Sequence, residues 1–231
     1  MQTVQLPLGF HLKEAVSFDN FFIGRNRELI EVLKQCASGS GEQVIYMIGK
    51  HGQGMSHLLK SCCHYAYHHQ RSSAYLPLNQ LVMLSKEILI GYENLNLICV
   101  DDLQAIVGHE DWEEAFFHLY NRIYDSGGHI IIGGNALPKT LGIKLKDLIS
   151  RLSWGVTYHL LPSTDNEKLS ILILKAEERG MVLPDEVAKY MLTHCRRHMN
   201  TLIAALDVLD KASLAAKRRL TVPFVKEVLE I

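Results

Sequence analysis

GKHGQGMSH, residues 49–57, is the stretch that decides the fold. It follows the apolar run VIYMIG, residues 44–49, and leads into residues 57–69, which have helical character. Strand, glycine loop and helix in that order are what a phosphate-binding loop requires. Glycines let backbone N–H groups converge on one point, and the helix N-terminus adds the positive end of its dipole. Gly49, Gly52 and Gly54 supply the glycines, and Ser56 stands where a magnesium-holding hydroxyl is expected. Met55, however, occupies the place where such a loop keeps its lysine. A lysine there delivers positive charge to the β- and γ-phosphates, and methionine cannot. Alone, the glycine pattern also describes an ordinary strand-to-helix turn, so the rest of the chain has to arbitrate.

Downstream, AYLPL (residues 74–78) predicts a second strand, followed by a helix near residues 81–89. LNLICVDDL (residues 95–103) predicts a third strand, apolar on both faces and closed by Asp101 and Asp102. Carboxylates at a strand end can bind magnesium directly or order a water. Residues 111–126 form a strong helical pattern with Trp112, Ala115, Phe116, Leu119 and Ile123 on one face. HIIIGGN (residues 129–135) predicts a fourth strand, stopped by Pro138. Apolar strands alternating with helices imply a parallel sheet covered on both sides. With two acidic residues two elements past the glycine loop, the expectation is an α/β P-loop nucleotide-binding domain.

Upstream, a short helix over residues 26–37 ends in a Gly/Ser loop, and Pro7 and Gly9 set the first residues apart. After VTYHLLPS no further strand run is expected, and three or four helices fill residues 165–231. These run over residues 165–179, closed by Gly180, then 184–195 and 200–216, and last TVPFVKEVLEI with Thr221 as N-cap and Pro223 in the first turn. The expected organisation is a flexible segment over residues 1–16, an α/β domain over 17–162 and a small all-helical domain over 163–231, divided at Pro162.

Composition narrows the function. The chain has 231 residues, 48% hydrophobic and 21% charged, with a formal net charge of −1. No whole-protein basic field therefore draws it onto nucleic acid. No run of about eighteen apolar residues occurs and the start lacks signal-peptide character, so no membrane partner is expected. The five cysteines, Cys36, Cys62, Cys63, Cys99 and Cys195, have no framework spacing, and Cys99 inside LICV reads as a small buried hydrophobe. This favours a reducing cytoplasm. In CCHYAYHH, His64 and His68 share a helix face, but no second ligand group follows at a structural-site spacing, so no metal centre is expected.

SFDNFFIGRNREL, GKHGQGMSHLL, LICVDDLQAI, the strand ending at Asn135 and DLISRLSWG together resemble an AAA+ domain of the DnaA clade, from about residue 17 to the C-terminus. The resemblance implies a P-loop domain with a parallel sheet flanked by helices, followed by a small all-α lid. It implies that the aromatic lead-in over residues 18–24, with Phe21 and Ile23, walls the adenine site. Gly49, Gly52, Gly54, Met55, Ser56 and His57 would then face the phosphates, and Asp101 and Asp102 match the Walker B acidics. Asn135 falls at the sensor 1 position, and Asn200 falls where the family keeps its sensor 2 arginine. Arg196 and Arg197 lie nearby, and helix phase leaves open whether either substitutes. Arg151 in SRLSWG matches the arginine finger of the box VII motif, with a salt-bridged helix-end residue as the plain alternative.

A DnaA initiator would continue into a helix-turn-helix domain, whereas this sequence stops at Ile231. WEEAFFHLYNRIYDSG and TVPFVKEVLEI resemble the Hda family of short DnaA homologues, which promote regulatory inactivation of DnaA. QLPLGF fits the Q-L-x-L-x-F pattern of a sliding-clamp binding peptide. There Gln5 would hydrogen-bond at the clamp surface, Leu6 belongs to the pattern, and Leu8 and Phe10 fill an apolar pocket. The plain alternative is a tail with chance leucines.

Two missing cations, at Met55 and Asn200, weaken triphosphate binding more than diphosphate binding. They also leave transition-state charge unsupported by several kcal/mol, so self-contained hydrolysis is not expected. An arginine finger acts in trans, in the best-known cases by roughly 10³- to 10⁵-fold. The resemblance thus implies a clamp-bound regulator that drives DnaA–ATP to DnaA–ADP. Its cofactor would be ADP or another nucleoside diphosphate, with Mg²⁺ allowed. Its partners would be DnaA and the β sliding clamp of DNA polymerase III, with DNA reached through the clamp; a homodimer is allowed. Competing readings are an intrinsic AAA+ ATPase or helicase-loader-like protein, and a non-catalytic scaffold joining clamp and initiator.

Overall fold

The computed structural model describes residues 16–196 and 198–231, and of Asn200 the backbone alone. The clamp-motif residues Gln5, Leu6, Leu8 and Phe10, and also Arg197, lie outside the described residues.

Five parallel strands form one sheet in the order β2-β3-β4-β1-β5. They are β1 (Val44–Ile48), β2 (Ser73–Pro77), β3 (Leu97–Asp101), β4 (His129–Gly134) and β5 (Val156–His159). Alternation along the central strands feeds two cores. Val44, Tyr46, Ile98, Val100, Ile130 and Ile132 face one side, where they meet Trp112, Phe116, Leu119 and Ile123 of α4 (Glu110–Asp125) and Leu148 and Leu152 of α5 (Lys146–Leu152). Ile45, Met47, Leu97, Cys99 and Ile131 face the other, against α1 (Arg27–Ser38) and α2 (Met55–His68). Both faces being covered explains why these strands read as continuous apolar runs.

One expectation fails. The helix expected near residues 81–89 is instead the short α3 (Leu78–Leu81) and a separate 3-10 turn, Lys86–Leu89. Met83 and Leu84 between them are exposed, so the apolar spacing there has no core to face. A fifth strand, β5, lies within VTYHLLPS, a stretch assigned to no element from the sequence alone. It lies at the sheet edge, pairs with β1 alone and is largely exposed, so its four residues carry no burial pattern to read.

Beyond β5, α6 (Asp165–Glu177), α7 (Asp185–His194), α8 (Met199–Ala216) and α9 (Val222–Leu229) build a helical lid with its own core, including Leu172, Val187, Met191, Leu206 and Phe224. Local chemistry starts these helices. Thr164 and Glu167 form a reciprocal capping box on α6, and the Thr221 hydroxyl accepts from the Phe224 N–H at the head of α9.

Candidate functional site

A cavity of about 330 Å³ opens at the C-terminal ends of β1, β3 and β4. This is the place where an open parallel sheet offers its strand-to-helix loops. Its walls include Gly49, Gly52, Gly54, Met55, Ser56, His57, Asp101, Asp102 and Asn135, so the glycine loop, the acidic strand end and the end of β4 converge as one concave surface. Lys50, His51, Asn79 and Gln104, which the sequence did not single out, also line it.

The loop is shaped from within. Gly52 and Gly54 take φ of 81° and 96°, a conformation glycine adopts without strain. Gly54 caps α2, and a side chain on it would meet the Phe21 ring at 2.8 Å. The Gln53 side-chain oxygen accepts from the Lys50 N–H at 2.8 Å and closes the turn. Met55 does not extend as a lysine would toward phosphate. Its side chain lies back across two glycines, with Cε 3.0 Å from where a Gly49 Cβ would stand and Cγ 2.9 Å from the same point on Gly133. Gly133 is thus required by the methionine.

His57 lines the cavity but is also turned to the N-terminal lead-in, with Nε2 2.9 Å from the Ser17 carbonyl and its ring 5.4 Å from that of Phe21. Burial pushes its pKa below the usual histidine value. Phe21 packs beside the loop without entering the cavity walls, and Ile23 is exposed and absent from them. Asn200 sits in the first turn of α8. Arg196 is exposed just before that helix. A different lid residue reaches the loop: His198 Cβ and Nδ1 each lie 3.9 Å from where a Gly52 Cβ would stand.

At the acidic end, Asp101 is buried. Its Oδ2 accepts from the Tyr75 hydroxyl at 2.6 Å and its Oδ1 from the Asp102 N–H at 3.0 Å. Asp102 takes φ of 57° and accepts from Gln104 Nε2 at 2.7 Å. Burial, then the Asp101 carboxylate beside it, pushes the Asp102 carboxyl up. For magnesium, Ser56, Asp101 and Asp102 all line the cavity, and each Asp101 oxygen keeps a lone pair beyond the hydrogen bond it accepts. Among the described residues no group of three or more His, Cys, Asp or Glu is arranged to hold a metal. His64 and His68 approach to 3.2 Å through Nε2, without a third ligand.

Arg151 lies elsewhere, in the last turn of α5 and outside the cavity walls. Its backbone carbonyl accepts from the Tyr120 hydroxyl at 3.0 Å, which fixes the end of the helix. Its guanidinium carbon sits 4.2 Å over the ring of Trp154, itself 60% exposed. Among the described residues no carboxylate lies within ion-pair distance of it.

Comparison with known proteins agrees with this architecture. The family model for the bacterial DnaA ATPase domain matches residues 12–159, and the model for the Hda lid domain matches residues 165–229. An uncharacterized protein of Haemophilus influenzae is 40% identical over 228 residues, covering 98% of this chain and 99% of that one. Among solved structures, domain III of the replication initiation protein DnaA from Thermotoga maritima superposes with a TM-score of 0.81 at 23% identity, over 93% of this chain and 95% of that one. AMPPCP-bound DnaA from Aquifex aeolicus gives 0.73 at 24% identity, over 88% of this chain and 67% of that one. No described helix is long and apolar enough to cross a membrane. Sheet order, glycine loop, lid and family models converge: the chain belongs to the bacterial DnaA ATPase-domain family, as an AAA+ protein with a lid of the Hda type.

Proposed function

We propose that this chain regulates replication initiation by lending Arg151 in trans to DnaA–ATP, promoting its conversion to DnaA–ADP, while hydrolysing no nucleotide itself. The observation that carries this reading is the setting of Arg151. It stands outside the chain's own cavity, stacked on an exposed indole and free of any carboxylate among the described residues. A guanidinium held in a salt bridge would have to be released before it could meet another subunit's phosphate. One braced on an aromatic face is already desolvated on one side and oriented.

The cavity itself we read as a site for ADP or another nucleoside diphosphate. The glycine cradle and the N-terminus of α2 remain, while the charge that would grip a γ-phosphate is replaced by Met55. The AMPPCP-bound DnaA from Aquifex aeolicus, alike in fold, supports a nucleotide as occupant. The sequence QLPLGF would tether the chain to the β sliding clamp of DNA polymerase III through Gln5, Leu6, Leu8 and Phe10, with DNA reached through the clamp in the cytoplasm. We retain the division into residues 1–16, 17–162 and 163–231. A homodimer formed through the Arg151 face would hide the finger until that face is released.

The test is hydrolysis of DnaA-bound ATP with the clamp loaded on DNA, comparing the unmodified chain with Arg151→Ala and with Gln5→Ala/Leu8→Ala. Loss of stimulation in both variants is expected. Undiminished stimulation by Arg151→Ala would leave only a scaffold role. Turnover of free ATP by the chain alone, abolished by Asp101→Asn, would make it an ATPase in its own right.

A further inference from the structure

Glu113 on α4 is only 1% exposed, and the nucleotide cavity gives it no task. A buried carboxyl is costly unless it is hydrogen-bonded, and this one is bonded through both oxygens. Its Oε1 accepts from the Gly108 N–H at 2.9 Å, and its Oε2 accepts from the Lys144 and Leu145 N–H groups, each at 2.9 Å. Gly108 follows the 3-10 turn Leu103–Ile106 that leaves β3, and Lys144 and Leu145 stand immediately ahead of α5, which carries Arg151. One side chain thus ties the exit of the acidic strand to the entry of the Arg151 helix. The two loops also touch directly, since a Cβ on Gly142 would stand 3.3 Å from Val107 Cγ1. On the outside Lys144 Nζ meets Glu110 Oε1 at 3.1 Å, a second tie from α4 to the same point.

The helix α5 cannot place itself. It has seven residues, and its N-cap Leu145 offers no side-chain bond. Helices shorter than about 12 residues are marginal on their own. Leu148 and Leu152 hold it against the core, but apolar contact is non-directional and does not fix how far the helix slides or turns. Hydrogen bonds do. Tyr120, seven positions after Glu113 and equally buried, donates its hydroxyl to the Arg151 carbonyl at 3.0 Å. Burial pushes that hydroxyl up to about 12, so it stays a donor. The same carbonyl accepts from the Trp154 N–H at 3.1 Å, so the turn that bears the indole closes on the same atom. The spacings agree: residues 113 to 120 rise about 10 Å along α4, and residues 145 to 151 rise about 9 Å along α5.

We propose that Glu113 and Tyr120 are positioning residues for Arg151, holding the head and the tail of α5 so that the guanidinium meets the partner's phosphate in one pose. This rests on the reading of Arg151 as a residue lent in trans and adds the two side chains behind it. Neither lines the chain's own cavity, so changing them leaves that site intact. A misplacement of about 1 Å at a reacting centre can cost about 10²-fold in rate, and a short helix freed at one end moves its last turn by that much.

The test uses the full chain and its Glu113→Gln and Tyr120→Phe variants. Glutamine sets an amide donor against N–H donors on one side, while Tyr120→Phe keeps the ring and removes only the hydroxyl. Hydrolysis of DnaA-bound ATP, with the clamp loaded on DNA, is titrated with each protein to saturation, which separates the maximal rate from the half-saturating concentration. Amide hydrogen exchange read by mass spectrometry follows α5 with no partner present. The maximal rate is expected to fall about tenfold in Glu113→Gln and roughly three- to fivefold in Tyr120→Phe, with half-saturation within about twofold of the unmodified chain. Residues 144–154 should exchange about tenfold faster in both variants, while the lid helices stay within about twofold. A raised half-saturation with an unchanged maximum would overturn the proposal, as would unchanged exchange across α5. If Glu113→Gln does not fold, Tyr120→Phe alone gives the answer. If the unmodified chain stimulates nothing, the reading of Arg151 falls, and exchange still decides whether the two residues hold α5.

Discussion

Asn26 holds Leu161 from both sides: its Oδ1 accepts from the Leu161 N–H at 2.9 Å, and its Nδ2 donates to the Leu161 carbonyl at 3.2 Å. Arg25 adds a bond to the Pro162 carbonyl at 2.6 Å. Residues 160–164 join the sheet to the lid, so two side chains just ahead of α1 hold the joint between them. Asn26 is itself nearly buried, at 9% exposure. Asn26→Ala is expected to destabilise the chain by about 1–2 kcal/mol, the range for losing a paired polar contact of this kind. Asn26→Asp, which keeps the acceptor but sets a carboxylate oxygen against the Leu161 carbonyl, should cost at least as much. Urea unfolding at neutral pH measures both.

Two histidines make stability depend on pH. His129 Nδ1 lies 3.1 Å from Arg71 Nη2, and the guanidinium can donate only to an unprotonated ring nitrogen. Burial first, and for His129 the Arg71 charge next, lowers the pKa of both His57 and His129 below the ordinary 6.5. The unfolded chain therefore takes up protons before the folded one does, and stability falls as pH drops through 6.5 toward the lowered values. The thermal midpoint is expected to decline on acidification from neutral pH, and His129→Gln, which keeps an acceptor facing Arg71, should flatten that decline.

Gly133 and Met55 should behave as one unit. A methyl group at residue 133 would stand 2.9 Å from Met55 Cγ and 3.2 Å from Leu59 Cδ1. Gly133→Ala is expected to cost about 1–3 kcal/mol by overpacking. Adding Met55→Ala should recover part of that loss, a non-additivity that denaturant unfolding of the two single variants and the double variant would reveal.

Trp154 should support Arg151 without replacing it. A cation over an exposed aromatic face contributes about 0.5–1 kcal/mol, so Trp154→Ala is expected to lower stimulation of DnaA-bound ATP hydrolysis only two- to fivefold. Arg151→Ala should cost far more. Steady-state hydrolysis across the two variants separates support from contact.

The parts of this molecule legible in its sequence are those written in local chemistry. Glycines at residues 52 and 54 announce the loop because few other residues adopt those backbone angles. The helical face of Trp112, Phe116, Leu119 and Ile123 shows because one side of α4 must meet the sheet. Illegible parts depend on register and on neighbours. Tyr75 meets Asp101 across 26 positions, a contact set by strand pairing. His198 lies opposite Gly52 only because the lid folds back over the loop. Ile23 is exposed and lies outside the cavity walls, and its position two residues after Phe21 does not fix which way a short turn presents it.

Met55 also limits what can replace it. The hollow between Gly49 and Gly133 is filled by the methionine's own carbon and sulfur. A lysine at that place would carry its charged end outward and leave those glycines facing a void, a defect that interiors tolerate poorly. Placing charge at residue 55 would therefore take a compensating change at Gly133 on β4 as well, so charge and packing at this loop are altered together.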